Sequence, residues 1–270
     1  MNTLLNKGKA PTLNKVPEVT IFFWMIKIMA TTVGETAADF LNSHLNFGLT
    51  GTSIVMGVLL LISLAMQLRF RKCVQWAYWL TVVFLSVFGT LLTDNLVDNF
   101  GVTLETTTVI FSVALLVTFT VWYGSEKTLS IHTIYTTKRE LFYWAAILFT
   151  FALGTAGGDL VAEGFKLGYA TSALVFGALI GVVTFAYFVF KANAILAFWV
   201  AYILTRPFGA SCGDLLSQTA SNGGLGLGTL GTSAVFLATI LALVIYLTFS
   251  ERRNQAVPFA DGSTGYKRRP

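Results

Sequence analysis

Four aspartates hold the most chemical promise in this chain: Asp39, Asp94, Asp159 and Asp214. Each closes the same pattern, a tryptophan, a glycine ten residues later and an aspartate five residues beyond that. The copies are Trp24–Gly34–Asp39, Trp79–Gly89–Asp94, Trp144–Gly154–Asp159 and Trp199–Gly209–Asp214. All four lie inside long apolar segments. A charged side chain in the middle of a bilayer costs about 2.5–3.5 kcal/mol on insertion scales, so a repeated one implies internal partners or a function. Carboxylates at matched depth can concentrate cations, bind them through hard oxygen ligands or exchange protons.

Other charges break the symmetry. Lys27 and Glu35 occur in the first copy alone, and Glu35 lies one helical turn from Asp39, so the two carboxylates share a face. Such a pair can share a proton or hold a divalent ion, which makes Glu35 and Asp39 the candidate metal ligands. Arg206 occurs in the fourth copy alone, followed by Pro207, which is expected to kink the helix and free a carbonyl. An arginine at that depth requires a counter-ion, either Glu35 or an aspartate. The plainer alternative for Lys27 and Arg206 is a structural ion pair, and Lys27 can also snorkel towards the nearer interface. Asn95 and Asp98 thicken the polar cluster of the second copy.

Each remaining motif residue has a structural reading beside its functional one. The aspartates either ring a common mouth or sit separately at the interface, solvated or capping the next segment. A lone anion near a helix C-terminus opposes the macrodipole, so a partner or a break in the helix is expected there. Gly34, Gly89, Gly154 and Gly209 permit close helix approach, or else local unwinding that exposes carbonyls, with Gly157-Gly158 and Gly213 favouring unwinding in the third and fourth copies. Trp24, Trp79, Trp144 and Trp199 read most simply as interfacial anchors. Ser/Thr pairs follow each aspartate, at Thr52-Ser53, Thr107-Thr108, Thr171-Ser172 and Thr232-Ser233. They are either N-caps or hydroxyl ligands for a cation.

The elements that must position these residues are transmembrane helices. Of 270 residues, 55% are apolar and 11% charged, less than half the charge of a soluble domain. The apolar runs do not alternate with period two, which selects helices over a barrel. Eight are expected, at about 19–41, 49–68, 75–97, 104–123, 141–163, 168–190, 194–218 and 229–249. Of the 18 Lys and Arg, 15 fall before the first helix, in every second loop, or after the last helix. The positive-inside rule then puts both termini in the cytoplasm. Each copy crosses the membrane twice, so the copies are parallel two-helix repeats. Aspartate spacings of 55, 65 and 55 residues add a pseudo-two-fold relation between halves of four helices. The chain divides into an N-terminal segment 1–18, a first half 19–123, a linker 124–140, a second half 141–250 and a disordered tail 251–270. No cleavable signal peptide is expected.

The pattern resembles a family of bacterial integral membrane proteins built from four tandem two-helix repeats of unknown function, each with a characteristic tryptophan. Lys15-Val-Pro-Glu-Val-Thr and Thr31-Thr-Val-Gly-Glu-Thr-Ala-Ala-Asp39 carry the likeness, which covers roughly residues 15–250. It implies a multi-pass plasma-membrane (inner-membrane) protein and brings no activity with it.

No nucleotide-binding glycine loop, serine–histidine pair or thiolate metal spacing is present, so neither an enzyme nor a cofactor is expected. The net charge of +5 arises from loop residues and does not indicate nucleic acid. The expected partners are the bilayer and a small cation or proton. The expected function is secondary transport of a small cation or cationic solute, with proton coupling as an option. An outer acidic ring in a cation channel and a non-transporting scaffold or sensor are the alternatives.

Overall fold

The computed structural model describes residues 14–44 and 48–256. Among them are eight long helices and no strands: α1 (Ile21–His44), α2 (Gly48–Arg69), α3 (Gln75–Asp94), α4 (Leu104–Glu126), α5 (Thr137–Asp159), α6 (Tyr169–Val189), α7 (Ala194–Ser217) and α8 (Thr229–Ala256). All eight are long and apolar enough to cross a membrane. The protein is a polytopic all-α membrane protein of four two-helix repeats.

Polar caps set several boundaries. Thr103 Oγ1 accepts from Thr106 N at the start of α4, and Thr136 Oγ1 accepts from Arg139 N at the start of α5. The second cap starts α5 four residues earlier than the apolar run alone indicates, because a hydroxyl satisfies one of the orphan N–H groups of the first turn. Asn193 Oδ1 does the same for Ile195 N and Leu196 N of α7. The C-terminal helix runs on to Ala256, seven residues beyond the apolar stretch, so the tail expected to be disordered from 251 begins as helix; the rest of it, 257–270, lies outside the described residues. Most of the N-terminal segment, 1–13, lies outside them too.

Four helices form the centre and four the periphery. The odd-numbered helices bury 50–61% of their most apolar window, the even-numbered ones 17–22%. The even set is also the more apolar, as expected for helices that face lipid while the less apolar ones satisfy their polar groups inside. α1 packs on α3, α3 on α5, α5 on α7, and α7 on α1, which closes a ring. Each outer helix packs mainly on the inner helix of the next repeat: α2 on α3, α4 on α5, α6 on α7, and α8 back on α1. The contact pattern is thus cyclic and four-fold, beyond the two-fold relation that the spacings suggest.

The motif glycines are the joints of this ring. A Cβ on Gly34 would strike Ser86 Oγ of α3, and one on Gly89 would meet Phe151 Cβ of α5 at 2.7 Å. On Gly154 it would strike Arg206 of α7, and on Gly209, Thr31 Oγ1 of α1. In every case the partner lies three residues before the next repeat's glycine. The glycines therefore permit close approach, and the inner helices stay helical through all four, through Gly157-Gly158 and Gly213, and through Pro207. Unwinding occurs elsewhere, as single π-turns directly after two aspartates, Asn95–Asn99 after Asp94 and Leu160–Gly164 after Asp159. These turns mark the second and third repeats, which are not partners under the 120-residue shift.

Candidate functional site

Counting in steps of four residues from each aspartate gives one stripe per inner helix, which winds slowly around it by about 40° per step. The stripes are Asp39–Glu35–Thr31–Lys27–Phe23, Asp94–Thr90–Ser86–Val82–Tyr78, Asp159–Thr155–Phe151–Ile147–Tyr143 and Asp214–Ala210–Arg206–Tyr202–Phe198. Apart from the aspartates, every one of these side chains is buried. The stripes line the interior of the ring, and stacking them level by level describes its axis.

The aspartates form the first level, at what is called here the acidic end. Asp39, Asp94 and Asp159 are half-buried and Asp214 is buried. None of the four carboxylates has a hydrogen bond or ion pair among the described residues. Asp94 and Asp214 each lie within electrostatic reach of Asp39, Asp159 and Glu35. The four acids therefore lie within electrostatic reach of one another's group at one end of the bundle. Flanking it, Asn95 Nδ2 donates to Ser53 Oγ at 2.7 Å, and Tyr169 OH donates to Glu163 Oε1 at 3.0 Å.

One turn deeper, the axis is closed by Arg206, fully buried. Its Nη2 donates to Glu35 Oε2 at 3.1 Å, to Thr155 Oγ1 at 2.7 Å and to Thr90 Oγ1. Its Nη1 donates to the Thr31 carbonyl at 2.7 Å and its Nε to the Phe151 carbonyl at 3.4 Å. One guanidinium thus joins all four inner helices. Of the two expected counter-ions, Glu35 is the one used. This engages Glu35, proposed from sequence as half of a metal site with Asp39; among the described residues no group of three or more His, Cys, Asp or Glu is placed to hold a metal ion. Thr90 and Thr155 escaped the sequence reading. Their signal was present, one residue after the motif glycine, in the place that Glu35 holds in the first repeat.

Lys27 lies below the arginine. It does not snorkel, and among the described residues it pairs with no carboxylate. It is fully buried, donates from Nζ to Thr205 Oγ1 at 3.3 Å, and stands over the Tyr202 and Phe151 rings at 4.3 and 4.7 Å.

The last level is an aromatic ring that answers the question of the tryptophans. The residue before each tryptophan packs on the tryptophan of the next repeat: Phe23 on Trp79, Tyr78 on Trp144, Tyr143 on Trp199, and Phe198 on Trp24, with centroids 5.3, 5.4, 6.2 and 5.6 Å apart. Trp79, Trp144 and Trp199 are buried. They are therefore not interfacial anchors, because their rings are needed to fill the closed end of the bundle. Two of the indoles are held from within: Trp79 Nε1 donates to Gln75 Oε1, and Trp199 Nε1 to the Leu129 carbonyl. Tyr78 and Tyr143 share a 2.5 Å hydroxyl–hydroxyl bond on the same level.

Glycine joints, aromatic pairs and aspartates all recur at the same phase in four consecutive helix pairs. The chain belongs to the Repeat of Unknown Function (DUF347) family. Its repeat matches residues 22–72, 77–128, 142–193 and 197–253. No curated protein and no solved structure matches the chain. A DUF347 repeat in sequence is an inner helix followed by an outer one, whereas the packed unit is an outer helix with the inner helix of the next DUF347 repeat.

Beyond this axis, the basic end is strapped by residues before α1. Lys15 Nζ donates to Glu140 Oε2 at 2.5 Å and to the Leu68 carbonyl at 3.2 Å, and Lys15 N donates to the Ile134 carbonyl. The Ser/Thr pairs are not N-caps, because the outer helices begin about one turn before them. Three of them cross to the next repeat: Ser53 Oγ accepts from Asn95 Nδ2, Ser211 Oγ donates to Ser172 Oγ at 2.9 Å, and Thr36 Oγ1 lies 2.7 Å from Ser233 Oγ.

Proposed function

We propose that this protein is a secondary transporter of a small cation or cationic solute in the bacterial plasma membrane, with the basic end and both termini in the cytoplasm. The observation that carries this reading is the grouping of four repeat-related aspartates, none of them paired among the described residues, at one end of the bundle above the buried Arg206–Glu35 pair. A concave ring of like charge raises the local concentration of a counter-ion and supplies oxygen ligands. Parallel internal repeats and an orientation with the lysine- and arginine-rich loops inside are familiar in such carriers.

The seal below the mouth favours a carrier over a channel. A cation in a continuous pore would pass two fixed cations, Arg206 and Lys27, and then the aromatic ring. Passage therefore requires the inner helices to rearrange between two closures, with the Arg206–Glu35 pair as the group to be displaced.

The test is uptake of radioactive sodium, rubidium, calcium and methylammonium into proteoliposomes, for wild type and for Asp→Asn variants at Asp39, Asp94, Asp159 and Asp214. At least one cation is expected to accumulate above protein-free vesicles, with uptake reduced in the variants. Uptake at the protein-free level for all four cations, or full uptake by all four variants, sinks the reading. Loss of thermal stability in the variants, with no flux in any protein, would support a scaffold instead.

A further inference from the structure

We propose that Lys27 is a proton-binding site on the axis, and that the hydroxyls of Tyr202, Tyr143 and Tyr78 lead from it to the basic end. The inference deepens the transport reading by naming the group that carries a coupling proton.

Every other charge on the axis is accounted for. Arg206 has Glu35, and the aspartates lie beyond it at the acidic end. Lys27 alone is a fully buried cationic side chain with no carboxylate in ion-pair range among the described residues. An ammonium offers three donors, and the structure supplies one acceptor, Thr205 Oγ1, and two ring faces. The groups facing it come from every neighbouring helix: Arg206, Tyr202 and Thr205 from α7, Phe151 from α5, and Val82 at the same level of α3. α8 carries no charged residue between Thr229 and Ser250, and Glu35, two turns along α1 itself, is engaged by Arg206. Of the two axial cations, only lysine can release its proton; an arginine stays charged.

The route onward rests on hydroxyls that packing alone does not require. Tyr202 is fully buried, its ring lies under Lys27, and its hydroxyl has no hydrogen-bond partner. The hydroxyls of Tyr78 and Tyr143 are bonded to each other. Tyr202 and Tyr143 pack against the same Trp199 ring, with centroids 5.8 and 6.2 Å from it. In the forward step the Lys27 lone pair takes a proton arriving from the acidic end. In the return step Nζ moves from the Tyr202 ring face to the unpartnered Tyr202 hydroxyl, Nζ–H breaks as that oxygen gains the proton, and the tyrosine passes its own O–H proton on. Each bond broken is matched by one formed, and no other reactant is consumed.

The experiment uses the full chain in proteoliposomes loaded with the pH dye pyranine. Sodium, potassium and magnesium chloride are equal on both sides and valinomycin clamps the potential, so a proton gradient is the sole driving force. After an external acid pulse, wild-type vesicles are expected to acidify at least about tenfold faster than protein-free vesicles. Lys27→Arg, which keeps the charge but cannot give up its proton, and Lys27→Met are expected to fall to the protein-free rate, and Tyr202→Phe to slow entry several-fold. A wild-type rate in Lys27→Arg, or wild-type vesicles no faster than protein-free ones, overturns the proposal. If the Lys27 variants fail to reconstitute as monodisperse protein, Tyr202→Phe decides, and a wild-type rate there overturns it. Cation uptake without proton entry would remove this proposal and leave the transport reading standing; proton entry without cation uptake would do the reverse.

Discussion

Arg206 Nη2 of the last repeat lies 3.1 Å from Glu35 Oε2 of the first, and this bond closes the ring electrostatically where α7 meets α1. The two residues are 171 positions apart in sequence and both are buried. Removing one partner of a buried ion pair costs about 3–5 kcal/mol, because it strands the other charge. Glu35→Leu and Arg206→Met are each expected to lower the melting temperature in detergent markedly. The double variant Glu35→Leu/Arg206→Met is expected to recover much of that loss. Additive losses in the double variant would show that the two side chains are not coupled.

Four glycines that look alike in sequence are expected to differ sharply from their neighbours. Gly89→Ala and Gly154→Ala drive a methyl group into Phe151 and Arg206, and overpacking of this kind costs about 1–3 kcal/mol. Gly157 has nothing within 4 Å of an added Cβ, so Gly157→Ala is expected to be neutral or stabilising by up to about 1 kcal/mol through helix propensity. Thermal unfolding of the three single variants compares them directly, and equal effects would contradict the ring packing.

The aromatic level is expected to bar water from the basic end. With Cys73 and Cys212 replaced by serine, a cysteine at Asp94 should react with a membrane-impermeant thiol reagent from the acidic side. A cysteine at Val82 should react from neither side. Adding Trp144→Ala removes the partner of Tyr78 and should expose position 82 to reagent from the basic side. Labelling of position 82 in the parent protein from the basic side would show the closure to be open in the membrane. Running the assay in vesicles of known orientation also decides which end faces the cytoplasm.

Glu140 is almost wholly buried and Lys15 nearly so, so the strap across the basic end depends on their mutual charge. Glu140→Ala is expected to destabilise by about 3–5 kcal/mol, as for other buried pairs that lose one partner. The exchange Lys15→Glu/Glu140→Lys is expected to restore part of this. Limited proteolysis near residue 15 should speed up in the single variant and slow again in the exchange.

The aspartate and tryptophan repeat was legible because depth in a membrane is a local property: fifteen residues of helix span about 22 Å, wherever the helix packs. The same locality explains what was misjudged. A tryptophan near a span's end is an anchor if it faces lipid and a plug if it faces the axis, and spacing alone is silent on which. Thr90 and Thr155 passed unnoticed because neutral hydroxyls are common in membrane helices, and only Arg206, from another repeat, gives them a role. Lys27 was recognised as anomalous, yet its lack of a carboxylate is a fact about its neighbours.

By itself, the amino-acid sequence determined the eight spans, the two-helix repeat and the residues that recur at one phase, since hydrophobic length and periodicity are written along a single helix. Only the tertiary structure decided that each glycine and each aromatic pair serves the following repeat, that α8 returns to α1, and that Glu35 is the acid that holds Arg206. Those choices depend on which faces of separate helices meet, and that is settled by packing among segments far apart in the chain.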